Sequence, residues 1–150
     1  MKPGAVLMAA GNARRFGGNK LLLPVEGRPA VEWAMLALRE GKFSAVAVVT
    51  QYPEVAALAE QYGFLPVMNP DPGAGVSLTI RLGLEALLER EPELPGCMFA
   101  VGDQPRLRGE SIEALVRAWE AEPGHIMAMS SFSALRSNCC TGWPYFPQML

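Results

Sequence analysis

The chain has 150 residues, enough for one domain with its own core and hardly enough for two. Half of the residues are hydrophobic and 19% are charged, which indicates a folded globular protein and excludes intrinsic disorder. The formal net charge of −2 provides no basic field, so we expect no nucleic-acid partner. No apolar run reaches the about 18 residues of a membrane span, and no signal peptide opens the chain. We therefore expect a single cytoplasmic domain without a membrane partner.

The three cysteines and the single histidine form no recognised metal-ligand pattern. Cys97, Cys139 and Cys140 contain no Cys-x-x-Cys pair, and His125 lies outside any His-Glu-x-x-His context. Cys97 lies in an apolar run, which predicts a small core residue. A zinc site is therefore not expected.

Short apolar runs alternate along the chain with segments of helical period, which is typical of βαβ units. The predicted strands lie at residues 5–8, 45–50, 64–68, 97–101 and 125–130, and the predicted helices at 29–40, 53–62, 76–90 and 112–119. Pro66 marks the third strand as a doubtful or edge strand, because proline cannot donate to a sheet ladder. This order predicts an α/β, three-layer, Rossmann-like fold with a mostly parallel sheet and helices on both faces.

Residues 130–150 differ from the rest of the chain. They show no clear period, and Arg136 is the only charged residue after Glu122. We expect a loop packed on the body or against a partner, at the end of a single domain spanning 1–150. The alternative is a C-terminus that is incomplete or altered.

The most unusual loops follow the strands at 5–8 and 97–101. Both lie at carboxyl ends of predicted parallel strands, where ligands bind in open α/β sheets. The small residues Ala9, Ala10 and Gly11 allow backbone N–H groups to approach an anion closely. Arg15 offers a planar fork to phosphate oxygens, and Lys20 offers a compact point charge. Since neither GxxxxGK[ST] nor GxGxxG is present, the residues alone indicate only a site for a phosphorylated ligand with a metal.

The segment from residue 7 to residue 24 closely resembles the N-terminal signature of the molybdenum cofactor nucleotidyltransferases, within the GT-A-like nucleotidyltransferase superfamily. The positions that match the family pattern are Ala9, Ala10, Gly11, Arg15, Phe16, Gly17, Lys20, Leu21 and Leu22. The double alanine and Phe-Gly favour the cytidylyltransferase (MocA-like) branch over the guanylyltransferase branch. Asn19 argues against the isoprenoid cytidylyltransferases, which carry proline before the lysine.

Two further segments resemble the same family. Residues 69–78 are similar to its N-P-x-x-x-x-G-x-S segment, and residues 102–105 are similar to its G-D-Q-P segment. The resemblance therefore implies nucleotide binding by Asn69 and Ser77, in addition to the first loop, and Mg²⁺ binding by Asp103. For Ser77, plain helix capping is an equally open alternative.

The implied reaction is transfer of CMP from CTP to molybdopterin with release of pyrophosphate. Its implied catalytic residues are Lys20, Arg15 and Asp103, with Mg²⁺ on Asp103 and the nucleoside triphosphate and molybdopterin as partners. The alternatives are a guanylyltransferase, a sugar-phosphate nucleotidyltransferase, or a non-catalytic nucleotide-binding protein that serves a molybdoenzyme. Base choice is expected to depend on loop geometry near Thr50, Gln51 and Asn69.

The resemblance covers about residues 4–130. Family members continue with an R-G-N-P-V-L segment and later acidic residues, whereas this chain has Arg136-Ser137-Asn138 and no acidic residue after Asn138. We therefore expect a truncated or altered member, able to bind nucleotide but impaired in transfer.

Overall fold

The computed structural model describes residues 2–11, 20–103, 107–121, 127–128 and 139–142. The strands are β1 (Gly4–Ala9), β2 (Pro24–Val25), β3 (Arg28–Pro29), β4 (Val46–Thr50), β5 (Leu65–Met68), β6 (Gly96–Val101), β7 (Met127–Ala128) and β8 (Cys139–Gly142). The helices are α1 (Ala30–Glu40), α2 (Pro53–Gln61), α3 (Val76–Arg90) and α4 (Gly109–Ala121). Short 3₁₀ turns occur at Lys20–Leu22 and Pro72–Ala74.

A six-stranded sheet in the order β5-β4-β1-β6-β8-β7 carries the fold. β1 lies between β4 and β6 and is parallel to both, and β5 is parallel to β4. The chain runs outward from β1 through β4 to β5 and then returns to the other side of β1 with β6. This reversal makes the β1–β6 boundary a topological switch point, where a crevice forms outside the carboxyl ends of the strands. The predicted α/β fold with a mostly parallel sheet is confirmed.

Two hydrophobic cores cover the two faces of this sheet. Alternate residues of β1 point to opposite faces, so Leu7 belongs to the core with α1, α2 and α4, whereas Val6 belongs to the core with α3. Cys97 is fully buried in the α3 core, as predicted. The result is three layers, helix–sheet–helix. Among the described helices, none has the length and apolar composition needed to cross a membrane.

Local signals in the sequence placed most element boundaries correctly. Gly41 caps the end of α1, and Pro66 lies in the edge strand β5, as expected. Of the predicted strand at 125–130, the described residues 127–128 form β7, and the others lie outside the described residues. β7 lies beyond β8 rather than beside β6.

The predicted loop at 130–150 is wrong for Cys139–Gly142, which form β8 antiparallel to β6. This segment has no alternating pattern, and its extended form depends on backbone pairing with β6 that local sequence does not encode. The remainder of that tail lies outside the described residues.

Helix α3 packs directly on the sheet through Gly83. A Cβ atom at Gly83 would lie 2.5 Å from Val6 Cγ1 and 3.1 Å from Val49 Cγ2, atoms of two central strands. We expect Gly83→Ala to lower the free energy of unfolding by roughly 1–3 kcal/mol, the usual cost of overpacking, measured by urea denaturation.

Gly73→Ala is the control, because the nearest atom to a Cβ there is Asp71 Oδ1 at 3.6 Å, an ordinary van der Waals distance, so its stability should stay close to that of wild type. Helix propensity alone favours alanine over glycine by about 0.8–1.0 kcal/mol. A Gly83→Ala variant that is more stable than wild type would therefore contradict the close packing of α3.

Candidate functional site

Four parallel strands end at one edge of the sheet, and the residues that follow them gather there. Gly11 follows β1, Gln51 and Tyr52 follow β4, Asn69 follows β5, and Asp103 follows β6. Segments far apart in the sequence therefore meet at the edge where the sequence predicted a ligand site.

Lys20 and Asp103 form the charged centre of this edge. Lys20 Nζ lies 3.4 Å from Asp103 Oδ2, although 83 positions separate the two residues in the chain. The neighbouring Leu21 is buried in the core, which anchors the 3₁₀ turn and leaves the Lys20 side chain 49% exposed. Asp103 is 40% exposed, so water screens the pair and it contributes little to folding stability. A cation and a carboxylate are thus held together where a ligand can reach both.

Close packing of β1 on β6 brings Asp103 to the first loop. Gly102 N–H donates to Met8 O at 2.9 Å, and a Cβ at Gly102 would meet Ala9 Cβ at 3.2 Å and Val31 Cγ2 at 3.3 Å. A larger residue at 102 would push the end of β6 away from β1. The glycine before the aspartate therefore sets the separation of the two halves of the site.

Asp103 has the donor chemistry for a hard divalent cation. Carboxylate oxygen suits Mg²⁺, which is commonly bound by one or two carboxylates together with substrate phosphates. Within the described residues, no group of three or more His, Cys, Asp and Glu side chains could hold a metal by itself. The Lys20 ammonium, 3.4 Å from the carboxylate, shows that a positive charge fits beside Asp103. Asp103 therefore fits a metal shared with a phosphorylated ligand.

The small-residue loop can offer its backbone to such a ligand. Ala9 and Ala10 are buried, so their side chains face the core, whereas Gly11 is exposed. Gln51 Nε2 donates to Ala10 O at 2.9 Å and to Gly11 O at 3.3 Å, and Tyr52 Oη donates to Gly11 O at 2.9 Å. The sequence indicated Gln51 only as a residue near the base-choice region, and it did not predict Tyr52 as part of the site. The available signal was the position of both residues directly after a buried strand.

Asn69 reaches the same edge, but its side chain is committed to the protein. Asn69 is 3% exposed; its Nδ2 donates to Thr79 Oγ1 at 3.1 Å, and its Oδ1 accepts from Asp71 N–H at 2.9 Å. These bonds tie the end of β5 to α3. A nucleotide contact by this side chain stays a prediction.

Ser77 lies exposed in the first turn of α3. Gly75 takes the N-cap position with φ of 100°, and no side chain caps the helix. The geometry thus gives Ser77 no capping role and leaves nucleotide binding by Ser77 as a prediction. Arg15 and Gln104 lie outside the described residues, so the role predicted for Arg15 also stays a prediction.

A second polar cluster lies between α1 and α2. Tyr62 Oη donates to Glu32 Oε1 at 2.6 Å, and Arg28 Nη1 donates to the same carboxylate oxygen at 3.2 Å. Burial, together with the Glu32 carboxylate, raises the pKa of the Tyr62 phenol above its usual value. Trp33 Nε1 donates to Val25 O at 2.7 Å and fixes the β2–β3 hairpin on α1. This cluster holds structure together and includes none of the predicted site residues.

Gly11→Ala separates a ligand requirement from a folding requirement. Among the described residues, a Cβ at Gly11 would meet no atom within 4 Å, so the thermal unfolding midpoint should stay close to wild type. If a phosphate passes over this glycine, the added methyl group should weaken nucleoside triphosphate binding about tenfold or more, a loss of roughly 1.4 kcal/mol. Isothermal titration with triphosphate and Mg²⁺ measures this, and unchanged affinity would contradict backbone contact at Gly11.

A mostly parallel sheet with helices on both faces and a topological switch point defines an open α/β domain, the class in which ligands bind outside the carboxyl ends of the strands. The sequence model of the MobA-like NTP transferase domain matches residues 5–149. The chain belongs to this family. The match includes the tail, beyond the range of about 4–130 that the motifs covered.

Curated relatives include a protein named as a cytidylyltransferase. The 3-deoxy-manno-octulosonate cytidylyltransferase of Synechococcus elongatus is 28% identical over 147 residues, which cover 95% of this chain and 52% of the relative. The bifunctional enzyme IspD/IspF of Rhodospirillum rubrum is 27% identical over 140 residues, which cover 90% of this chain and 36% of the relative. The chain thus spans about half the length, or less, of these relatives.

Solved structures share the fold. Rv0371c from Mycobacterium tuberculosis H37Rv superposes with a TM-score of 0.81 at 18% identity, covering 99% of this chain and 75% of that chain. A manganese complex of Rv0371c gives a TM-score of 0.76 at 18% identity with the same coverage. CMP:2-keto-3-deoxy-manno-octonic acid synthetase complexed with CTP gives a TM-score of 0.65 at 21% identity. This superposition covers 84% of this chain and 51% of that chain. At these identities the likeness establishes the fold alone.

Proposed function

We propose that this protein transfers CMP from CTP to an anionic acceptor, with release of pyrophosphate. The observation that carries this proposal is the 3.4 Å approach of Lys20 Nζ to Asp103 Oδ2 beside the Ala9–Gly11 loop. An acceptor oxygen forms a bond to the α-phosphorus while the bond from that phosphorus to the bridging oxygen breaks. The electron pair of the broken bond leaves with pyrophosphate, and no covalent enzyme intermediate is required.

The residues of the chain contribute positioning and charge neutralisation, which dominate catalysis of phosphoryl-type transfer. Backbone N–H groups of the Ala9–Gly11 loop, together with Lys20 and Arg15, bind the triphosphate and hold the α-phosphorus in line with the acceptor oxygen. Asp103 holds the divalent cation. When bound, Mg²⁺ neutralises charge on the triphosphate and on departing pyrophosphate. The manganese complex of a structural neighbour supports the use of a divalent metal.

Cytidine is the proposed base because the 28% identical relative from Synechococcus elongatus is named a cytidylyltransferase. The double alanine at 9 and 10 favours the same choice. Gln51, one of the three residues expected to bear on base choice, borders the loop through its amide.

Molybdopterin is the proposed acceptor, on the motif resemblance of residues 7–24, 69–78 and 102–105. A second candidate acceptor is 3-deoxy-manno-octulosonate, which the name of the 28% identical relative specifies. Guanylyl transfer, another sugar-phosphate acceptor, and a non-catalytic role beside a molybdoenzyme are the remaining alternatives.

A triphosphate panel tests the proposal. CTP, GTP, ATP and UTP are each added with Mg²⁺, and thermal stabilisation and pyrophosphate release are measured with molybdopterin or 3-deoxy-manno-octulosonate as the acceptor. We expect the largest stabilisation with CTP, and pyrophosphate release only when molybdopterin is present. Release with the sugar acid alone would select the second candidate, stabilisation without release would support the non-catalytic role, and no stabilisation by any triphosphate would overturn the proposal.

A further inference from the structure

Two side chains at the β4–α2 junction donate hydrogen bonds to the last two carbonyl oxygens of the small-residue loop, Ala9–Gly11. Gln51 Nε2 donates to Ala10 O and Gly11 O at 2.9 and 3.3 Å, and Tyr52 Oη donates to Gly11 O at 2.9 Å. We name these three hydrogen bonds, from Gln51 and Tyr52 to Ala10 and Gly11, the loop clamp. They join segments about 40 residues apart in the sequence.

The loop clamp is built on a rigid junction. Tyr52 N–H donates to Oγ1 of the fully buried Thr50 at 3.0 Å. Tyr52 is the N-cap residue of α2, and its carbonyl accepts hydrogen bonds from the N–H groups of Val55 and Ala56, each at 3.1 Å. The backbone that carries the Tyr52 phenol is therefore fixed to both β4 and α2.

The clamp controls the direction of the loop peptides. A trans peptide directs its C=O and N–H groups to opposite sides. Because the Ala10 carbonyl points to the β4 side of β1, the N–H of Gly11 points to the β6 side, where Lys20 and Asp103 meet. The clamp also keeps the negative ends of two carbonyl dipoles away from that side. Both effects favour an anion between the loop and Lys20.

We propose that Gln51 and Tyr52 are positioning residues that preorganise the loop for the triphosphate, by holding the carbonyls of Ala10 and Gly11 toward β4. This inference rests on the proposed function. It gives a role in triphosphate affinity to a glutamine and a tyrosine that touch the loop backbone. Preorganised donors bind an anion more tightly because they need no reorientation when it arrives.

Three variants test the loop clamp in the full chain, with CTP and Mg²⁺ as the probe. Tyr52→Phe and Gln51→Leu should each raise the dissociation constant about threefold to tenfold, the range of one net hydrogen bond. The double variant should raise it by more than the product of the two single effects, because each donor alone can still hold Gly11 O.

Tyr62→Phe is the matched control, since it removes a phenol at the opposite end of α2 that donates to Glu32. CTP affinity of this control should equal that of wild type. A measurement without ligand adds an independent readout: the carbonyl carbon resonances of Ala10 and Gly11 should shift in the clamp variants and stay in place in Tyr62→Phe.

The outcomes separate the clamp from the function on which it rests. If wild type binds CTP and both clamp variants bind it as tightly as Tyr62→Phe does, the clamp proposal is overturned and the proposed function stands. If wild type binds no triphosphate, the proposed function fails and the clamp loses its role with it. Reduced affinity in the clamp variants, together with shifted Ala10 and Gly11 resonances, supports both.

Discussion

Asp103→Asn is expected to reduce pyrophosphate release about a thousandfold, which corresponds to roughly 4 kcal/mol of lost transition-state stabilisation. Asparagine keeps the shape of the side chain but removes the charge that holds the divalent cation. Because Asp103 is 40% exposed, the variant should fold normally. The measurement is the rate of pyrophosphate release at saturating CTP, Mg²⁺ and acceptor, with thermal unfolding of the unliganded variant as the folding check.

Glu120→Gln is the control for Asp103→Asn. Glu120 carries the same charge, lies near the end of α4 and pairs with Lys2 at 3.5 Å, just before the start of β1. This places it at the amino edge of the sheet, opposite the site. The Glu120→Gln variant should release pyrophosphate at the wild-type rate. Wild-type pyrophosphate release by the Asp103→Asn variant would show that Asp103 does not hold the metal.

Lys20→Met is expected to weaken CTP binding about a hundredfold, or roughly 2.7 kcal/mol, since charge-assisted bonds to phosphate are among the strongest polar contacts. The substitution removes the ammonium and leaves the Asp103 carboxylate, 3.4 Å away in wild type, to repel the triphosphate. Isothermal titration with CTP and Mg²⁺ measures the loss. For wild type, affinity should fall as ionic strength rises, and this dependence should weaken in the variant.

Lys42→Met provides the matched lysine control. Lys42 is exposed and follows α1 near Gly41, before β4 begins, so it lies far from the carboxyl ends of the strands. CTP affinity should not change in this variant. Equal affinities for Lys20→Met and wild type would show that the lysine does not contact the triphosphate.

The meeting of Lys20 with Asp103 was predictable because it follows from topology. Parallel strands place their carboxyl ends together, and both residues lie in loops that leave such ends. Pro66 also gave a reliable signal, because proline has no N–H to donate to a sheet ladder. Gly41 ends α1 in the right-handed conformation, and close packing requires the glycine there, since a Cβ would lie 2.8 Å from Ile112 Cγ2.

The features that the sequence missed depend on partners distant in the chain. The hydrogen bond from Tyr52 to Gly11 requires the β1–β4 register, in which Ala9 pairs with Thr50. Likewise, Cys139–Gly142 become a strand only beside β6. Neither pairing leaves a period or a spacing in the local sequence.

Asn69 shows a different limit of sequence-based prediction. An asparagine in a turn-rich segment can bind a ligand or satisfy buried backbone and side-chain groups, and both roles use the same donors and acceptors. The structure shows both ends of this side chain bonded, to Thr79 and to Asp71. These bonds and the burial of Asn69, which is 3% exposed, give the side chain a structural role that the sequence alone does not reveal.

The most direct test of the site is a crystal structure of the full chain with CTP and Mg²⁺. We expect the triphosphate to lie against the backbone of Ala9–Gly11, with Lys20 Nζ on a phosphate oxygen and the metal bound by an Asp103 carboxylate oxygen. A nucleotide bound elsewhere, or an Asp103 side chain turned away from the metal, would contradict the assignment of this edge as the nucleotide site.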